Sequence, residues 1–195
     1  ERSGFKTVVL ETHGRPGNFF INLTYDDPVW RQVVQDVRFR QALNLGINRQ
    51  EIIDAVYYGF AELPTKWAPT EYNPEEANRL LDEIGLDKKN SEGWRLGPDG
   101  KVFNLHLEVS TRVPETVPET ELLVEYWKDL GIYTTMKIID NALWGTRANA
   151  NELQATVERM EDYWWQGDVK AYVSAPLWNL YHTSNGANGE EPPAD

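Results

Sequence analysis

The residues best suited to chemistry form one short cluster near the C-terminus, which comprises Glu161, Asp162, Tyr163, Trp164 and Trp165. A carboxylate at the end of a strand, set among aromatic walls, can pair with a ligand ammonium group, while the rings exclude water and add a cation–π attraction. In a purely structural interpretation, the tryptophans pack against neighbouring elements and the acids face solvent. The cluster therefore indicates either a non-covalent binding site or a packed surface.

Catalysis would need an activated nucleophile, an acid–base pair or a metal-binding constellation, and the sequence suggests none of these. The three histidines, His13, His106 and His182, do not have the spacing of metal ligands. The chain has no cysteine, which excludes a thiol nucleophile and a disulfide framework. We therefore expect no enzymatic activity, no metal ion and no cofactor.

The composition limits the classes of partner. The chain has 195 residues, 41% of them hydrophobic, and a formal net charge of -12. That charge repels a phosphate backbone and anionic lipid, so we expect no binding to nucleic acid or to a membrane surface. No apolar run approaches the length of a membrane span, and the chain opens at Glu1 without a signal-type segment. We expect a mature or excised portion of a longer protein.

A strand–helix–strand unit is the main architectural signal. Strands are predicted near residues 102–109 and 132–139, with a helix over residues 119–130 between them. So short a unit implies a right-handed crossover between parallel strands. The alternation of the first strand predicts that one face is buried while His106 and Glu108 face outward. A third strand, near residues 153–160, ends just before the acidic and aromatic cluster.

Two helices are predicted within residues 36–59. Asp36 is placed to cap the first, and Asn48 the second, with Glu51 three residues later in a capping-box pattern. Gly46 separates the helices, and Gly59 is a left-handed stop. These two helices are predicted near residues 37–45 and 49–58. The other predicted elements are helices near residues 74–84 and 142–150, and strands over Lys6–Leu10 and Phe19–Leu23.

Together these elements predict an α/β fold with a mixed sheet and helices packed on it. Asp26, Asp27 and Pro28 are interpreted as a turn between the second strand and the paired helices. We expect one domain over residues 1–184 and a flexible tail over residues 185–195, which is rich in glycine, proline and acids. The tail acids Glu190 and Glu191 are expected to be solvated.

The segment DVRFRQALNLGINRQEI, residues 36–52, resembles the signature of the family 5 extracellular solute-binding proteins, the peptide, nickel and oligosaccharide receptors of bacterial ABC importers. The likeness continues in order through FFINLTYDDPVW, YNPEEANRLLDEIGL, GWRLGPDGKVFNLHLEV, EYWKDLGI, DNALW and NGEEPP. The resemblance implies the third-domain lobe of a type II periplasmic-binding-protein-like receptor. Arg38 and Arg40 lie in the signature but point to different faces of a helix, which favours structural roles.

The resemblance also implies a function and a set of binding residues. It implies a periplasmic or extracellular receptor, lipid-anchored or soluble, that holds a peptide between this lobe and a first domain and delivers it to an ABC permease. Peptide receptors of the family pair an aspartate after the corresponding strand with the N-terminal amine of the peptide. Asp162 is the nearest match, Glu161 the alternative, and Asp168 stays open; Trp164 and Trp165 would form the walls.

Other functions and behaviours remain open at this stage. An oligosaccharide receptor of the same family fits the tryptophans, because sugar rings also stack on aromatic walls. A free-standing, non-catalytic interaction domain is the other alternative. Without the first and second domains of its parent, the lobe is expected to bind its ligand weakly, and the Tyr163–Trp165 face is a candidate surface for self-association.

Overall fold

The computed structural model describes residues 17–63, 70–159 and 174–193. The predicted strand Lys6–Leu10 and the cluster from Glu161 to Asp168 lie outside these residues. The strands are β1 (Gly17–Ile21), β2 (Asn104–Ser110), β3 (Tyr133–Ile139) and β4 (Ala155–Arg159). The α-helices are α1 (Pro28–Val34), α2 (Val37–Leu45), α3 (Arg49–Val56), α4 (Pro74–Leu81), α5 (Thr116–Asp129), α6 (Asn141–Asn149) and α7 (Pro176–Thr183), and a π-helical turn (Asp82–Leu86) follows α4.

The four strands form one mixed sheet in the order β1-β4-β2-β3. Strand β2 pairs in parallel with β3, from Asn104 opposite Tyr133 to Ser110 opposite Ile139, which confirms the predicted crossover. On its other side β2 pairs in parallel with β4, while β1 pairs antiparallel with β4. The predicted α/β class with a mixed sheet is confirmed.

Helix α5 covers one face of the sheet and builds the main core. Leu107 and Val109 of β2 lie in one buried cluster with Trp127 of α5, together with residues from α1, α2 and α4. The Trp127 ring meets Phe19 of β1 edge-on, with ring centroids 5.2 Å apart. Its indole nitrogen donates to the Leu43 carbonyl at 3.0 Å, so this large side chain is buried without an unpaired donor.

Helix α6 covers the opposite face, which corrects the prediction of a half-buried strand. Glu108, expected to face outward, is 4% exposed and accepts from Nε of Arg147 on α6 at 2.8 Å. Nearby, the indole nitrogen of Trp144 donates to Oγ1 of Thr156 at 2.9 Å. The alternating pattern identified one apolar face correctly. On the other face of β2, Asn104 is exposed and His106 is half-buried, but Glu108 is buried in an ion pair.

The helix caps that need only one side chain are confirmed. Asp36 accepts from the Arg38 amide at 2.9 Å and Asn48 from the Glu51 amide at 3.3 Å, as predicted. The carboxylate of Glu51, however, accepts from the hydroxyl of Tyr126 at 2.8 Å. Glu51 therefore ties α3 to α5 rather than completing a capping box.

The chain bends at Asp26, in line with the turn predicted at residues 26–28, but a helix that was not predicted from the sequence begins at Pro28. Oδ1 of Asp27 accepts from the amides of Val29 and Trp30 at 2.8 and 3.1 Å, and Pro28 occupies the first turn of α1, where its missing N–H costs nothing. Arg31 of this helix forms an ion pair with Glu190 at 2.8 Å. The Glu190 side chain is still 41% exposed, so it remains in contact with solvent while it forms this pair. The flexibility of the tail and the single-domain boundary stay predictions.

A buried arginine joins the ends of two helices. Arg95 is 1% exposed, and its guanidinium donates to the Leu130 carbonyl after α5 at 2.7 Å and to the Leu86 carbonyl at 2.5 Å. It also contacts Asp82 and Asn78 at 2.5 and 2.7 Å. One side chain thus satisfies backbone acceptors that helix ends leave without partners.

Replacing Arg95 with Met is expected to lower the free energy of unfolding by about 3 kcal/mol, because two buried carbonyls lose their donors. Urea denaturation measures the change. Arg79→Met is the matched control, since Arg79 also pairs with acids but lies on the surface of α4, and it should change stability little. An equal loss of unfolding free energy in both variants would show that the buried contacts of Arg95 stabilise the chain no more than the surface ion pairs of Arg79 do.

Candidate functional site

Three parallel strands end at the same edge of the sheet, called here the carboxyl edge. It is formed by residues 110–112 after β2, residues 139–141 after β3 and residues 157–159 at the end of β4. Ligands of open α/β sheets bind outside the carboxyl ends of the strands, where loops and helix N-termini present polar groups. The carboxyl edge is therefore the first place to look for a binding site.

Arg112 is the charged group best placed at this edge to contact a ligand. Its Nη2 lies 3.0 Å from Oε1 of Glu158, and the two side chains are 49% and 2% exposed respectively. The buried carboxylate fixes the guanidinium, while about half of the Arg112 side chain stays accessible to solvent. An anionic group, such as a carboxylate, could be received there by charge-assisted hydrogen bonds.

The loop that carries Arg112 is held at its base. The Arg112 amide donates to Oγ of Ser110 at 3.1 Å, and the Ser110 hydroxyl donates to Oδ1 of Asn141 at 3.3 Å. Asn141 opens helix α6, whose N-cap Asp140 accepts from the amides of Ala142 and Leu143. These contacts join the ends of β2 and β3, so Arg112 projects from an ordered edge.

A second polar group lies near the carboxyl edge on the α5 face. The hydroxyl of Tyr57 donates to the carboxylate of Glu119, which is 5% exposed. Burial raises the pKa of Tyr57 above its ordinary value, and the hydrogen bond to Glu119 raises it further. Gly17, which pairs with Arg159 at the end of β4, lies against this carboxylate so closely that a Cβ atom would collide with it.

The structure does not test the five binding residues that the sequence predicts. Glu161, Asp162, Trp164, Trp165 and Asp168 all lie between residues 160 and 173, outside the described residues, and their roles stay predictions. Strand β4 ends at Arg159, directly before this segment.

Sequence reasoning overlooked Arg112, although a Ser-Thr-Arg triplet directly after an apolar strand is a usable signal. The structural roles expected for Arg38 and Arg40 are confirmed: Arg38 pairs with Asp36 at 2.7 Å, and Arg40 donates to the Val34 carbonyl at 2.6 Å. Neither arginine lies at the carboxyl edge.

Other features of the described chain suit a ligand less well. An open groove of about 650 Å³ lies at the opposite edge of the sheet, but its Arg31 and Glu190 pair with each other and its Asn151 donates to the Thr24 carbonyl. Within residues 17–63, 70–159 and 174–193, no group of three or more histidine or acidic residues is arranged to hold a metal ion. No helix in these ranges is long and apolar enough to cross a membrane.

The relatives found by comparison include proteins named for peptide binding and one named for heme binding. The dipeptide-binding protein of Escherichia coli is 27% identical over 152 residues, which are 72% of this chain and 26% of that protein. Heme-binding protein A of Haemophilus influenzae is 28% identical over 147 residues, which are 68% of this chain and 24% of that protein. The chain therefore spans about a quarter of the length of these relatives.

A solved structure and a family model agree with these relatives. The oligopeptide-binding protein OppA superposes with a TM-score of 0.75 and 29% identity over 92% of this chain and 33% of the OppA chain. The model of the bacterial extracellular solute-binding proteins, family 5 Middle, matches residues 2–188. Because this match covers nearly the whole sequence, the chain belongs to family 5 of the bacterial extracellular solute-binding proteins.

Proposed function

We propose that this chain is one lobe of an extracytoplasmic receptor that captures a peptide for an ABC importer and does not convert it chemically. Family membership supports a receptor, and the relatives named for dipeptide and oligopeptide binding support a peptide. The observation that carries the proposal is the half-exposed Arg112, fixed by the buried Glu158 at the carboxyl edge. This arrangement suits recognition of an anionic group.

A free peptide is a zwitterion, and we assign one partner at the carboxyl edge to each of the two charged ends of the peptide. Arg112 would receive the C-terminal carboxylate through charge-assisted hydrogen bonds. Asp162, with Glu161 and Asp168 as alternatives, would pair with the N-terminal ammonium group, and Trp164 and Trp165 would wall the site. Opposite charges at two ends of one site would select ligands by length as well as by charge.

A complete site needs a second surface, because one lobe leaves the ligand half in water. We propose that this chain corresponds to the third domain of a longer receptor, whose first and second domains supply that surface and which docks on an ABC permease. The curated relatives are about four times as long as the part that this chain matches, in line with this arrangement. Closure of two lobes would remove water and strengthen every polar contact inside. The receptor would act in the periplasm or outside the cell, soluble or lipid-anchored.

Replacing Arg112 with Gln, in a receptor that contains this chain, should weaken the binding of dipeptides and tripeptides about tenfold to a hundredfold. The reason is the loss of a charge-assisted contact, which is worth about 1.5–3 kcal/mol. Calorimetric titration with free peptides and with the same peptides amidated at the C-terminus measures the effect. The amidated peptides should bind the wild type and the variant equally.

The matched control for this experiment is Arg147→Gln. Arg147 also pairs with a buried glutamate, Glu108, on the same face of the sheet, but it lies away from the carboxyl edge. It should cost stability without changing peptide affinity. If both variants lose affinity equally, or if Arg112→Gln affects free and amidated peptides alike, Arg112 does not receive the carboxylate.

The chain by itself is expected to bind the same peptides only weakly. An ion pair between the ligand and Asp162 that stayed open to water would contribute at most about 1 kcal/mol, against an association cost of several kcal/mol. Calorimetry should detect no micromolar binding to the chain alone. Micromolar binding that persists in the Glu161→Gln/Asp162→Asn double variant would contradict both the incomplete site and the choice of these acids.

A further inference from the structure

The turn after helix α3 exposes two large aromatic side chains side by side. We call residues Tyr58, Gly59 and Phe60 the aromatic tip. Tyr58 is 82% exposed and Phe60 is 93% exposed, the two highest values among the large exposed hydrophobic residues of the described chain. Exposure of one such residue is ordinary, but two within a single turn form a concentrated apolar surface that contributes nothing to the core.

The backbone of the aromatic tip is fixed by hydrogen bonds. The Gly59 amide donates to the Ile53 carbonyl at 3.0 Å, and the Phe60 amide donates to the Tyr57 carbonyl at 2.9 Å. Tyr57, directly before the tip, is anchored through its hydroxyl to Glu119. The two rings therefore project from an ordered turn.

This turn holds one residue in an unfavourable conformation. Tyr58 has φ of 53°, in the left-handed region where a bulky side chain is costly, and Gly59 follows with φ of 74°. A glycine at position 58 would adopt the same backbone without strain. Strain of this kind persists where the surrounding structure imposes it, and it is concentrated at functional positions.

Exposed acids flank the aromatic tip along the chain, and Arg49 at the start of α3 is the nearest basic residue before it. Glu51 and Asp54 on α3 and Glu62 after the tip are exposed acids, and residues 50–63 contain no lysine or arginine. A second copy of this chain would bring the same acids face to face, and each copy has a net charge of -12. Electrostatic repulsion therefore opposes self-association at this surface. Anionic lipid is opposed for the same reason. A surface that carries cations among apolar groups is complementary to it, since arginine and lysine make cation–π contacts with aromatic rings and pair with carboxylates.

We propose that the aromatic tip is a docking surface for a partner protein whose contacting face carries arginine or lysine side chains among apolar ones. The tip lies close to the carboxyl edge, because Glu119, which anchors Tyr57, contacts Gly17 at the end of the sheet. A partner bound there would sit beside the ligand-facing edge without occupying it. This proposal does not depend on which solute the chain binds.

A synthetic amphipathic helix that carries arginine and leucine on one face serves as the probe. It is titrated into the full ¹⁵N-labelled chain, with a matched peptide that has glutamate in place of every arginine. The arginine peptide should shift the amide resonances of residues 54–62 and bind at least tenfold more tightly than the glutamate peptide. Raising the salt concentration should weaken it, because part of the attraction is between exposed charges.

Variants of the aromatic tip separate docking from general attraction to an acidic protein. Tyr58→Ser/Phe60→Ser should weaken the binding of the arginine peptide at least tenfold. Ile138→Ser/Leu180→Ser removes two exposed apolar side chains elsewhere and should leave this binding unchanged. Tyr58→Gly should relieve the backbone strain, raise the melting temperature and still weaken binding, which excludes misfolding as the cause.

Three results would overturn the proposal. The first is equal affinity of the arginine peptide for the wild type and for Tyr58→Ser/Phe60→Ser. The second is a set of resonance shifts spread over the acidic surface and not centred on residues 54–62. The third is binding to phosphatidylglycerol vesicles, or concentration-dependent dimerisation, that the same double variant abolishes.

Discussion

The parallel pairing of β2 with a strand on each side is the constraint on which the rest of the structure depends. Parallel neighbours require crossover connections, and here α5 and α6 make them on opposite faces of the sheet. Most side chains on both faces of β2, and those of Ala155 to Glu158 in β4, are therefore buried. A charged residue on these strands must find a partner, and Glu108 and Glu158 do so with Arg147 and Arg112. The position of Arg112 thus follows from the sheet topology, since a buried carboxylate without its cation would be costly.

The same topology places some of the stabilising polar contacts away from the carboxyl edge. Polar contacts that hold the chain together, such as those of Arg95, lie at helix ends away from the carboxyl edge. The carboxyl edge itself keeps a half-exposed guanidinium and leads into the segment that contains Asp162 and its aromatic neighbours. Because Arg112 also neutralises the buried Glu158, a substitution of Arg112 is expected to change stability as well as affinity.

What could be predicted from the sequence was local in origin. The caps at Asp36 and Asn48 depend on residues two or three positions apart. The crossover between β2 and β3 follows from a strand-like, a helix-like and a second strand-like spacing of apolar residues in succession. The burial of Glu108 was missed because it depends on α6 returning over β2, which no local pattern encodes. Helix α1 was missed because an acid before proline fits both a turn and a helix start.

The candidate site was predictable only in part for the same reason. Arg112 gains its significance from Glu158, a residue on another strand, so the pairing appears only once β2 and β4 lie side by side. The family resemblance, in contrast, was readable from the sequence alone because it depends on motifs in order and not on contacts. It pointed to residues after β4, and the structure adds the guanidinium after β2.

The central claim, that ligand binds at the carboxyl edge, is tested most directly by amide hydrogen–deuterium exchange on a receptor containing this chain, with and without saturating peptide. The account predicts increased protection in residues 110–112, 139–141 and 157–159. Protection confined to the opposite groove around Tyr25, Arg31 and Asn151, with the carboxyl edge unchanged, would contradict it.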